Sequence, residues 1–153
     1  MKKMRLLITV LALTITASMA NAADTIGVAN YKKIEAEYNY AKQVYKQIDD
    51  KILELQQFVI DKDKQFKAIE SPIQKKNFEE KTQKEYKAKE DAVLKLKLDK
   101  QDLIYENILN ATKVVAKQKG IATVVDYRVI FVGGVDITDD IIRYLNSTPT
   151  TKK

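Results

Sequence analysis

From Tyr31 to Lys119 the chain carries no glycine and a single proline, Pro72. Its apolar residues recur at helical spacing throughout. Ile34, Tyr38, Ala41, Tyr45, Ile48, Ile52, Leu55, Val59, Phe66, Ile69 and Ile73 follow in steps of four and three, and only Lys62 places a charge in the series. A four-three pattern held this long predicts a coiled-coil seam rather than the face of one globular helix. Near its middle, Glu70-Ser71-Pro72-Ile73-Gln74 reads as a fresh helix start. Ser71 can cap, Pro72 suits the first helical position, and Gln74 can complete a capping box. The expectation is a helical hairpin over 31–119 with its tip at 70–72; a single helix kinked at Pro72 is the alternative.

Such arms cannot fold into a ball. Residues 31–69 as one helix would measure roughly 58 Å at 1.5 Å per residue, whereas a compact chain of this length has a radius of gyration of about 14 Å. The arms must project, and other residues must hold their base.

The N-terminus supplies an address. Lys2, Lys3 and Arg5 precede an apolar stretch from Leu6 to about Met19, then Ala20-Asn21-Ala22. This predicts a secretory signal peptide over 1–22, cut after Ala22; its apolar part is short for a membrane span and holds three threonines, so an uncleaved anchor is the lesser alternative. No cysteine follows, so a lipidated N-terminus is not expected. Loss of that segment removes three positive charges and leaves 24 Lys and Arg against 21 Asp and Glu, a formal charge of +3 in place of +6. Export and this modest balance argue against a nucleic-acid partner.

The absence of cysteine and histidine narrows the chemistry further. Disulfides, Cys/His zinc sites and Ser-His-Asp or Cys-His catalysis are excluded. The four glycines form no phosphate-binding fingerprint, so no cofactor is expected. Asp126, Asp136, Asp139 and Asp140 could suggest a calcium site or an enzyme, but their spacing is no EF-hand loop, and helix capping accounts for three of them. No catalytic residue and no metal ligand is assigned.

Taken in order, residues 23–30 hold a short strand with Ile26 and Val28 on one face, and Asn30 can cap the first helix. Tyr31, Tyr38, Tyr40 and Tyr45 cluster at the base of the first arm, where packing is the simplest role. From Asp61 to Asp91, nine lysines and eight acids fall among 31 residues, and the large apolar residues thin to Phe66, Ile69, Ile73, Phe78 and Tyr86. That is the pattern of solvated helix, predicting a distal end of low stability. The second arm regains an apolar stripe from Val93 to Val115, wider than one face, and Gly120 ends it.

Two β-branched runs follow, 121–127 and 129–132, predicted as strands joined tightly near Tyr127-Arg128. A short helix from Asp139 to about Asn146, capped by Thr138 or Asp136, closes a small β body formed by 23–30 and 120–146. Residues 147–153 read as a polar tail. Three short strands and one helix make a thin core with open edges. The fold class is therefore α+β: long coiled-coil arms on a β body completed by oligomerisation, with Ile26, Val28, Val124, Val125, Ile130 and Val132 as its interface.

Ala23-Asp24-Thr25-Ile26-Gly27-Val28-Ala29-Asn30 behind a cleavage site, the charged hairpin, Ala116-Lys117-Gln118-Lys119-Gly120-Ile121-Ala122-Thr123-Val124-Val125-Asp126, and Asp136-Ile137-Thr138-Asp139 together resemble the Skp/OmpH family of periplasmic chaperones. The resemblance covers the whole mature chain; the arms match by periodicity and composition. It implies a homotrimer whose strands form a shared β body and whose three hairpins enclose a cavity. It also implies an ATP-independent holdase that keeps unfolded outer-membrane β-barrel proteins soluble in the periplasm. Client contact is assigned to Phe66, Ile69, Phe78 and Tyr86, with Lys75 and Lys76 near the tip. The charge balance is nearer neutral than in a strongly basic family member, so no residue is assigned to lipopolysaccharide. Weak membrane-surface contact through lysines stays open, although no arm segregates basic and apolar faces. A structural coiled-coil spacer of the cell envelope, binding no client, is the competing reading.

Overall fold

The computed structural model describes residues 25–148. The predicted signal peptide and the end of the polar tail lie outside them. The described chain is mostly helical, with long helices and a small sheet of three parallel strands. The strands are β1 (Ile26–Ala29), β2 (Thr123–Asp126) and β3 (Val135–Asp136), in the order β2-β1-β3. The helices are α1 (Tyr31–Glu37), α2 (Asn39–Lys67), α3 (Pro72–Gln118) and α4 (Thr138–Ser147).

The caps act where the sequence places them. Asn30 Oδ1 accepts from Lys33 N–H at 3.0 Å, starting α1. Ser71 accepts from Gln74 N–H at 3.5 Å with Pro72 in the first turn of α3. At the far end Gly120 adopts φ +66°, with Ile121 N–H bonded to Ala116 O and Gly120 N–H to Lys117 O. This is a Schellman ending: a left-handed residue satisfies carbonyls that the helix leaves open, and the next residue, Ile121, turns into the core.

β1 lies at the centre. Gly27 opposes Val124 and Val135, and Val28 opposes Val125 and Asp136. Parallel neighbours need a long crossover; between β1 and β2 that crossover is the whole of α1, α2 and α3. Gly27 and Ala29 face the core, while Ile26 and Val28 face outward.

Among the described residues, every buried one belongs to two segments, 27–48 and 104–145. Ile34, Tyr38, Ala41, Val44 and Ile48 pack against Ile104, Ile108, Ala111, Val115 and Ala116, and Ile137, Ile141, Ile142 and Leu145 of α4 close the cluster. From 49 to 103 no side chain is buried. Beyond the base α2 and α3 still touch: Lys89 lies over Phe58, Lys62 pairs with Glu85, and Phe66 packs on Phe78.

Several expectations need correction. The first arm is not one helix, because it breaks at Tyr38. Val44 rather than Tyr45 is fully buried, and Phe58 rather than Val59 turns inward, while Ala41, Ile48, Leu55, Lys62, Phe66 and Ile69 keep their places in the series. Ile73, placed in the seam, is 74 % exposed: α2 ends at Lys67, so no helix lies opposite it, and the turn occupies 68–71 rather than 70–72. The second late strand is β3, not 129–132. Tyr127–Val129 form a single 3-10 turn, and Ile130 and Val132 lie in the connection that follows. With both β2 and β3 parallel to β1, residues 127–134 must carry the chain back across the sheet and cannot form a hairpin strand. Gly133 and Gly134 (φ +90° and +87°) make the final turn, and a Cβ on Gly134 would meet Val28 Cγ2 at 2.4 Å.

Candidate functional site

The distal halves of α2 and α3 leave a groove between them. Its volume is about 650 Å³, and it is lined by Phe58, Val59, Lys62, Phe66, Phe78, Thr82 and Tyr86 with Asp63, Glu79 and Gln83 at its rim. Phe66 and Phe78 meet as a tilted pair with ring centroids 6.3 Å apart, and both remain only half-buried, which leaves apolar surface open along the groove. Cations cover those rings. Lys62 Nζ sits 5.1 Å from the Phe58 centroid and 5.4 Å from that of Phe78, Lys89 lies 5.3 Å from Phe58, and Lys75 lies 5.3 Å from Phe66. An ammonium over a ring face is held by the ring quadrupole, and more strongly as water is excluded.

Lys62 is the centre of this arrangement. The charge in the apolar series bonds Glu85 of α3 at 2.8 Å, and that bond holds the Glu85 carboxyl below the usual carboxylate range. The Thr82 hydroxyl oxygen is buried with no partner in the same wall. The groove therefore offers aromatic faces, aliphatic lysine stems and movable charges.

Of the residues assigned to client contact, Phe66, Phe78 and Tyr86 line this groove and Lys75 covers one of its rings. Ile69 is half-buried at the turn, and Lys76 is exposed away from the groove. Phe58, Lys62 and Lys89 are additional. The spacing of Phe58, Lys62 and Phe66, four residues apart each time, was the sign in the sequence that they share one face.

The second candidate surface is the outer side of the sheet. Ile26 is 42 % exposed, Val28 and Val125 are half-buried beside it, and Val129, Phe131 and Val132 of the following connection project into solvent, Phe131 completely. Ile130 is half-buried in the same connection. Val124, opposite Gly27, packs instead on the chain's own core, on the other face of the sheet.

The four aspartates are all engaged. Asp126 binds Arg128 at 2.7 Å, Asp136 accepts from Thr138 N–H at 2.8 Å, Asp139 pairs with Lys33 at 2.7 Å, and Asp140 with Lys119 at 2.6 Å and with Arg143. Hydrogen bonds from Arg128, Thr138 and Lys119 hold Asp126, Asp136 and Asp140 below the usual carboxylate range. Among the described residues no cluster of acids could hold a metal ion, and no helix is long and apolar enough to cross a membrane.

No protein-family model matches the chain, and a search of curated proteins finds no match to it.

Proposed function

We propose that this chain is an ATP-independent holdase of the periplasm, binding unfolded outer-membrane β-barrel proteins between helical arms. The observation that carries the reading is the distal half of the molecule. More than fifty residues of helix, within 49–103, bury no side chain, yet Phe, Tyr and Val line an open groove there, with Lys62, Lys75 and Lys89 over its rings. A helix pair built for its own stability would close that seam. One built to hold unfolded chains keeps it open and makes many weak contacts, each reversible, which tethering on one scaffold sums into useful affinity.

In this reading α2 and α3 form a coiled-coil hairpin, and three copies join through the outer face of the sheet, where Ile26, Val28, Val125, Phe131 and Val132 would lose their contact with water. Some partner for that face is expected on physical grounds, because a three-strand sheet with open edges and a bare apolar loop invites association. The trimer itself comes from the sequence resemblance to Skp/OmpH. Clients meet the groove through aromatic and aliphatic segments, while Lys62, Lys75 and Lys89 can swing toward acidic ones.

A structural spacer is favoured by a different observation: pairs such as Lys51–Glu54, Lys67–Asp63 and Lys87–Asp91 stiffen each helix along its own axis. Native mass by light scattering, with and without a urea-diluted barrel protein, separates the two. A trimer that takes up the client and keeps it soluble supports the holdase. A trimer that leaves the client to aggregate supports the spacer, and a monomer refutes the joint through the sheet.

A further inference from the structure

The helix that begins at Tyr31 breaks at Tyr38 although nothing local demands it. Glu37-Tyr38-Asn39 contains neither glycine nor proline, and the apolar spacing continues through the break. A continuous helix would bond Asn39 N–H to Glu35 O and Ala41 N–H to Glu37 O. Instead Tyr38 takes φ −70°, ψ 115°, an extended conformation, between two helices. Sharp bends have identifiable causes: proline, glycine, a bulge, or a side chain inserted into the hydrogen-bond ladder.

Here a side chain is inserted, from 107 residues away. Asn146 of α4 accepts from Asn39 N–H through Oδ1 at 2.8 Å and donates from Nδ2 to Glu37 O at 3.1 Å. One amide thus satisfies the donor just after the break and the acceptor just before it. The orientation of the amide follows from its partners, because a backbone N–H needs an oxygen and a carbonyl needs an N–H. The rest of α4 holds the same stretch from its start. Thr138 Oγ1 accepts from Asn30 N–H at 2.9 Å, and Asp139 pairs with Lys33. A separate contact crosses the break, with Tyr45 donating to Glu35 at 2.5 Å.

We propose that Asn146 is the positioning residue that holds this bend, so that α4, and not the local sequence, sets the direction in which α2 leaves the sheet. The alternative state is a straight helix over 31–67, which the sequence of that segment already favours. Removing the amide hands the segment back to its own propensity. The inference stands apart from the holdase reading, since it concerns where the long helix points whatever that helix binds.

The test is the 13C chemical shift of Tyr38 Cα and Cβ in the full-length chain, which reports the backbone conformation at the break directly. In the parent protein the shifts are extended. In Asn146→Ala they move to helical values, the straight form gaining at least tenfold over the bent one, while the shifts of core residues 104–116 stay in place. Asn146→Asp keeps the acceptor for Asn39 but sets a carboxylate against Glu37 O, and it moves the Tyr38 shifts part of the way. Tyr45→Phe removes the contact to Glu35 and leaves the shifts extended. Extended Tyr38 shifts in Asn146→Ala overturn the proposal. If that variant does not fold, unchanged shifts in Asn146→Asp overturn it in the same way.

Discussion

Replacing Ile104 by alanine probes the base of the molecule, and replacing Phe78 by alanine probes the far end of its long helices. Ile104 has no exposure and lies among Ile34, Tyr38, Ala41 and Ile108 in the single buried cluster. Its truncation loses the transfer free energy of the deleted carbons and leaves a cavity that neighbours from three helices cannot collapse. A cost of about 3–4 kcal/mol follows. With a urea dependence of about 2 kcal/mol per molar, the unfolding midpoint falls by roughly 1.5–2 M. Phe78 is the larger residue, and a size-only argument would rank it as the costlier loss. It is, however, only half-buried, with Phe66 and the ammonium of Lys62 against its ring. Truncation there costs about 1 kcal/mol of local helix contact. Circular dichroism in urea, at fixed chain concentration because association would shift the midpoint, measures both. Amide exchange then locates the effect, with Phe78→Ala speeding exchange from about residue 58 to 90 and leaving 104–116 unchanged. Equal midpoint losses, or a larger one for Phe78→Ala, would refute the claim that the core ends at Ile48 and Ile104.

Other outcomes follow from single positions. Gly134→Ala should destabilise more than Gly120→Ala in thermal melts: both have positive φ, but a Cβ at 134 collides with Val28 while one at 120 meets open space and costs about 1 kcal/mol. Asp136, held by Thr138 below its ordinary value of 3.8, adds stability above that pH and loses it as pH falls through the depressed value. Urea midpoints should therefore be flat above about pH 5 and drop toward pH 2, and Asp136→Asn should remove part of the drop; an unchanged drop refutes the assignment. Replacing Lys62 and Glu85 together by leucine should close the distal seam and slow amide exchange between 58 and 86. If the groove holds clients, the same variant should lose protection of an unfolded barrel protein in a light-scattering assay, and undiminished protection would count against that role.

What could be read from the sequence was local. Asn30, Ser71 with Pro72, and Gly120 set helix ends through contacts within three or four residues, and each end falls where those residues place it. The Tyr38 break was invisible because its cause lies in Asn146, a residue of α4 whose role depends on the folded chain. Residues 129–132 are β-branched and aromatic, but strand propensity expresses a fit to a half-buried pleat, and the direction of β2 and β3 gives those residues no such place. Phe58 was missed for a geometric reason: between Leu55 and Lys62 the inward face takes a step of three and then four rather than four and then three, and both Phe58 and Val59 are apolar. At the candidate site, Phe66, Phe78 and Tyr86 were legible as the apolar residues of a charged stretch, whereas the role of Lys62 required knowing that Glu85 comes to face it.

The sheet joins residues that are far apart in the chain, Ile26 beside Thr123, and everything between them leaves and returns at one place. Since 49–103 contributes nothing to the buried cluster, the reach of the molecule is uncoupled from its stability. Matched deletions of seven residues, one from α2 and one from the facing part of α3, would draw the tip in by about 10 Å while the sheet, the core and the Asn146 contact kept their partners. Length in such a protein is a quantity that evolution or an engineer can adjust in steps, without reopening the question of whether the chain folds.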